Sequence, residues 1–195
     1  MKSIVLGAFA LATLTAGAAS AQEAQAPINH GPAVTGVCVY NPTRVLTQST
    51  AGQSLRQGMQ RLAEEVRGEL QPYVTSIQTE AQQLQQGGQA ADPDGSRAQA
   101  WQQRVQEAQQ LEQTREQELR YTEAMQTQAI GVAVNPLITA AYQEKGCSIL
   151  LSRESVFLTN PAMDITETVL QRLNAQLPSL PAFNRMQVPA QQPQQ

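Results

Sequence analysis

The stretch LRQGMQRLAEEVRGELQPYVTSIQTEAQQL, residues 55–84, decides the fold. Apolar residues fall at Leu55, Met59, Leu62, Val66, Leu70, Tyr73, Ile77, Ala81 and Leu84, a seam with steps of three and four. That spacing is the period of an α-helix and not the period of a strand. The mean step is about 3.6, so the seam stays on one face of a nearly straight helix. Gln, Glu, Arg and Ser occupy most positions between the seam residues and give a solvated back. A helix from Ser54 to Gln86 extends about 50 Å, too far for the core of a small globule.

Residues 87–96, GGQAADPDGS, concentrate Gly, Pro and Asp, so the chain reverses there, with Ser96 as a candidate N-cap for a return limb. That limb sets Trp101, Val105, Ala108, Leu111, Leu119, Met125, Ala129 and Val132 along a looser stripe. Together the limbs predict an antiparallel helical hairpin over residues 51–134 that projects from another part of the chain. Gly58, Gly68 and Pro72 interrupt the outgoing limb and are candidate hinges. Each glycine weakens a helix by about 1 kcal/mol relative to Ala, and proline by about 3.

Composition fits this elongated reading. Of 195 residues only 4% are aromatic, and the 41% that are hydrophobic are rich in Ala, thin material for one compact core. Residues 1–21 carry one Lys2, an apolar run from Ile4 to Ala19, and the small-residue pattern Ala19-Ser20-Ala21. This is the layout of a secretory signal cleaved after Ala21, which predicts a periplasmic protein. Without Lys2 the balance is 12 basic against 16 acidic residues, net −4, with no basic face for nucleic acid. Residues 22–33 read as a disordered linker and hold the only histidine, His30, with no partners for chemistry.

The flanks of the hairpin, residues 34–50 and 135–177, read as a small β-rich head. Val34 to Tyr40 is a candidate strand, and Asn41-Pro42 is an N-cap with proline at the first helical position. Asn135-Pro136 is expected to break the return helix, and Gly146 to end its continuation. Cys147 to Ser152 and Val156 to Leu158 read as two further strands. Asp164, with Glu167 three residues on, caps a last helix. So few short strands leave open edges, and pairing with other copies of the chain is the usual remedy. Val37, Val39, Ile149 and Leu151 are the candidate oligomerisation residues. Cys38 and Cys147 sit on strands expected to share the head; a bridge and two buried thiols are both open. From residue 178 to 195 the Pro/Gln-rich chain is expected to be disordered.

The order of these pieces resembles a known family. A signal peptide and strand lead into Val45-Leu46-Thr47-Gln48-Ser49-Thr50-Ala51-Gly52, and a long polar hairpin comes next. Then come Lys145-Gly146-Cys147-Ser148-Ile149-Leu150-Leu151 and Asn160-Pro161-Ala162-Met163-Asp164-Ile165-Thr166 before a final helix. Over residues 34–174 the chain resembles the Skp (OmpH-like) periplasmic chaperones. The resemblance implies an α+β protein whose small strand head trimerises into a barrel from which helical tentacles project. It also implies an ATP-independent holdase, without cofactor, that encloses unfolded outer-membrane β-barrel proteins between its arms. The best-known members are strongly basic and favour anionic lipids and lipopolysaccharide. Here residues 51–134 hold seven Arg and eleven Asp or Glu, which argues against such binding.

A holdase needs weak, exchangeable apolar contacts, and Met59, Tyr73, Trp101 and Met125 are the candidate client-binding residues. The same stripe also serves to pack limb against limb. An enzyme is disfavoured: there is no metal-ligand cluster and no phosphate loop, and Ser49 and Ser152 have no base beside them. The alternative is a structural periplasmic coiled-coil adaptor or spacer. Such a protein calls for docking residues at the tip, and residues 87–96 offer none.

Overall fold

The structure, a computed structural model, describes residues 28–189; the expected leader and residues 22–27 of the expected linker lie outside them. Residues 31–189 form one compact unit. Strand β1 (Val37–Tyr40) leads into helix α1 (Pro42–Gln48). The turn between them is set by Asn41, whose Oδ1 accepts from Arg44 N at 2.9 Å. Ser49 then ends α1 and caps α2 (Thr50–Ala91) by accepting from Gly52 N at 3.0 Å. Residue 52 has to be glycine, because a Cβ there would collide with the Leu46 carbonyl.

Helix α3 (Ser96–Glu144) returns antiparallel to α2. Strand β2 (Ile149–Ser152) pairs parallel with β1, Val37 opposite Ile149 and Tyr40 opposite Ser152. On its other side β1 meets a single bridge, Val39 to Asp164, before helix α4 (Thr166–Gln176). The core lies where the arm enters the head: Cys38, Val45, Ala51, Leu55, Ile130, Val134, Ala141, Ile165, Val169 and Leu173. A disulfide joins Cys38 to Cys147 across 5.7 Å of Cα separation, tying β1 to the segment after α3. Asn174 Oδ1 accepts from Thr50 N at 2.9 Å, so α4 also fixes the root of α2. Among the described residues no helix is long and apolar enough to cross a membrane.

Several sequence expectations are corrected. Pro136 does not break the return helix, which runs unbroken from Ser96 to Glu144. The carbonyl that proline leaves unpaired belongs to Val132, 66% exposed, so solvent meets it. Residues 135–144 continue the same helix, and Ala141 there is part of the core shared with the head. Val156 to Leu158 is not a strand: a 3-10 turn at Arg153–Ser155 turns the chain outward and leaves Phe157 94% exposed. At the arm's tip the cap is Asp92, not Ser96; its carboxylate oxygens accept from Arg97 N at 3.0 Å and Ala98 N at 2.9 Å. Asp164 does accept from Thr166 N, at 2.7 Å, but Glu167 pairs with Arg44 and forms no capping box.

The largest correction concerns the end of the chain. Residues 178–189 of the segment expected to be disordered lie along the arm, with Leu180 buried and Phe183 packed against the core cluster.

Candidate functional site

The root of the arm has two faces beside its helix–helix seam. One is covered by the C-terminal segment. On α2 the row Ser54, Gly58, Arg61, Glu65 and Glu69 recurs every three or four residues, so it forms one line along the helix. Along that line Ser54 Oγ accepts from Leu180 N at 3.2 Å. Arg61 donates to the Phe183 carbonyl at 2.5 Å and to Glu65 at 2.5 Å. The Phe183 ring occupies the space where a side chain at residue 58 would begin. Further out, Thr122 Oγ1 accepts from Met186 N at 2.8 Å while donating to the Glu118 carbonyl at 2.7 Å.

Four charged groups close this face. Arg115 reaches Glu69 at 2.8 Å and Glu118 at 3.0 Å; Arg185 reaches the same two carboxylates at 2.8 and 2.9 Å. Each guanidinium bridges α2 and α3, and one of the two comes from the C-terminal segment. Hydrogen bonding from Arg185, with Arg115 adding to it, holds the Glu69 carboxyl below the usual carboxylate range despite some burial. Partial burial works against the Arg115 charge, but bonds from Glu69 and Glu118 raise its pKa overall.

The other face is open. A groove of about 530 Å³ is lined by Leu46, Leu55, Met59, Ala63, Leu119 and Thr127 among others. A hollow of about 250 Å³ shares Leu46 and Thr127 with it and adds Tyr40, Val45, Ile130 and Ile138. From residue 71 to 117, the distal arm, no residue of either limb is buried.

The residues expected from sequence to carry function are spread over these regions. Met59 lines the open groove, and Met125 is half-buried on the proximal return limb. Tyr73 is 44% exposed on the distal arm, and Trp101 lies half-buried with Nε1 donating to the Ile77 carbonyl at 3.0 Å. Ile149 and Leu151 are exposed, Val37 is half-buried, and Val39 is fully buried inside its own chain. Val39 is thus a core residue and offers no surface to a second copy. Gly58 is the seat of Phe183 and not a free hinge, whereas Gly68 has open space around it and Pro72 is exposed. Sequence reasoning missed Phe183, Arg185, Glu69, Glu118, Thr122 and the exposed pair Phe157 and Leu158. Ala129 and Val132, placed on the return stripe, face solvent.

The OmpH-like outer membrane protein family model matches residues 36–173. The chain belongs to the Skp/OmpH-like family. A crystal structure of a protein assigned as an OmpH-like outer membrane chaperone from Caulobacter crescentus CB15 is similar to this family member. The TM-score is 0.72 and the identity 31%, over 85% of this chain and 98% of that one. No curated protein gives a significant match. The matched span contains both strands, both arm helices and most of α4, and it ends before the segment that carries Phe183 and Arg185.

Proposed function

We propose that this OmpH-like protein is an ATP-independent periplasmic holdase that keeps unfolded outer-membrane β-barrel proteins from aggregating. Membership of the family supports the chaperone role, and the arm supports the holding mechanism. The observation that carries the reading is that a hairpin of 42 and 49 residues buries nothing fully along its distal half while presenting Tyr73, Val74 and an open apolar groove. A chain that has not folded exposes alternating apolar side chains and unpaired strand edges. Many weak contacts on arms around one cavity hold such a chain firmly while each contact exchanges quickly.

Enclosure needs more than one arm, and the head supplies a reason for assembly. Among the described residues β2 has an unpaired edge, and Ile149, Leu151, Phe157 and Leu158 expose apolar surface around it. Pooling these strands in a homotrimer would cover that surface. The leader read at residues 1–21 supports export to the periplasm. The net acidic arm supports polypeptide, and not anionic lipid or lipopolysaccharide, as the ligand.

The test is dilution of a urea-unfolded β-barrel membrane protein with and without this protein, following light scattering while mass is measured. A trimer in stoichiometric complex with a soluble client is the expected result. A stable monomer, or precipitation at molar excess, would overturn the reading.

A further inference from the structure

The covered face of the arm is built like a receptor for an extended polypeptide. Residues 178–189 have no regular secondary structure, yet they are held by three contacts to their main chain. Ser54 Oγ and Thr122 Oγ1 accept from the amides of Leu180 and Met186, and Arg61 donates to the carbonyl of Phe183. Main-chain contacts of this kind do not depend on which side chains the bound segment carries. Three side chains are held besides, the first being Leu180, buried in the core cluster. The ring of Phe183 fills the gap left by Gly58, and the guanidinium of Arg185 sits between Glu69 and Glu118.

The geometry points to a polypeptide-binding site on the α2–α3 root, for an extended segment with an aromatic residue followed two positions later by a cation. The chain's own residues 180–186 occupy it as a displaceable competitor. The seat is polar where the bound main chain needs partners, open where the ring enters, and acidic where the cation arrives. The inference rests on the holdase reading and gives it one defined contact, with release of the segment as the step that admits a client.

The test uses the full chain. Phe183→Ala/Arg185→Ala frees the seat. Thr122→Cys/Met186→Cys, oxidised, closes it; the 2.8 Å approach of Met186 N to Thr122 Oγ1 keeps the two Cα atoms within disulfide reach. Gly58→Leu expels the segment while filling the aromatic seat. The probe is a labelled peptide unrelated to the tail, with one Phe followed two residues later by Arg, and a copy with that Phe replaced by Ala. Circular dichroism establishes that each variant keeps its helices, and mass spectrometry that the native and added bridges are both formed.

The freed chain should bind the Phe peptide at least tenfold more tightly than the wild type and the Ala copy at least tenfold more weakly than the Phe peptide. The closed chain and Gly58→Leu should not bind measurably. Equal affinity in all forms, or binding only of a peptide with the tail's own sequence, would overturn the inference. Retention of an unfolded β-barrel protein, measured on the same variants, should rise when the seat is freed and fall when it is closed. If no form, wild type included, retains that protein, the holdase reading fails while the peptide result still decides the seat.

Discussion

The proximal and distal halves of the arm differ in composition and in cross-section: residues 71–117 are much richer in Gln and poorer in large apolar side chains than residues 50–70 and 118–144. Near the head the hairpin is three layers thick, α2, α3 and the C-terminal segment, with Leu62 and Thr122 at 0% exposure. Beyond Leu70 it is two helices whose contacts are all partial, tied at the tip by Arg97, which reaches Glu80, Gln83 and the Ala91 carbonyl, each at 3.0 Å. Opening free energies within a protein follow local burial. The root is therefore a rigid mount and the outer half an adaptable finger.

The largest expected effect tests the mount. Cys38→Ser/Cys147→Ser removes a link that closes a loop of 109 residues. Loop closure of that size contributes about 5 kcal/mol in the chain-entropy account. Urea unfolding should show a loss of that order, and amide exchange should accelerate in β1, α4 and the root of α2 while residues 71–114 barely change. Equal acceleration along the whole arm would break the distinction between its halves.

Next in size is a change confined to the finger. Trp101→Ala removes a half-buried ring and its bond to the Ile77 carbonyl. Truncation of a fully buried Trp costs 3–5 kcal/mol, so about 2 kcal/mol is expected here. Exchange should speed up on both limbs of the distal arm with little change at Leu62 or Ile130.

Two glycines on one helix sharpen the contrast further. Gly→Ala favours a helix by about 1 kcal/mol. At Gly68 nothing lies within 4 Å of the added methyl, so Gly68→Ala should stabilise the arm by about that amount. At Gly58 the methyl meets the Phe183 ring, and overpacking of about 1–3 kcal/mol outweighs the gain. Thermal melts should therefore shift in opposite directions. Shifts of the same sign would remove the C-terminal segment from any account of the root.

The outgoing seam was legible in the sequence because its buried positions are Leu55, Leu62 and Val66, apolar residues at helical spacing. The return limb was legible only as far as Leu111. Past that point the buried face is Glu118, Thr122, Ile130 and Val134. Its first two members are polar residues satisfied by a segment far away in sequence. A search for apolar periodicity passes over them and selects Ala129 and Val132, which point to water. The C-terminal segment was hidden for a related reason: its anchors, Leu180, Phe183 and Arg185, are single residues in a Pro- and Gln-rich background, and extended chain has no period to detect. Pro136 misled because a proline on an exposed helix face leaves its orphaned carbonyl to solvent.

The smallest expected effect is a pH dependence of the third layer alone. Glu69 is held below the usual carboxylate range, first by its bond from Arg185. A carboxyl with a depressed folded pKa stabilises the folded contact fully above its unfolded value, about 4.3, and that stabilisation is lost as pH falls through the folded value. The charged groups around it are Arg185, Arg115 and Glu118. The segment should stay seated at neutral pH and loosen only below about pH 4, and modestly, because Glu69 is partly exposed and solvent screens the pair. The Met186 amide, bonded to Thr122 Oγ1, reports the change by NMR. In Glu69→Gln its acid shift should shrink. An unaltered acid shift in that variant would show that Glu69 does not hold the third layer in place.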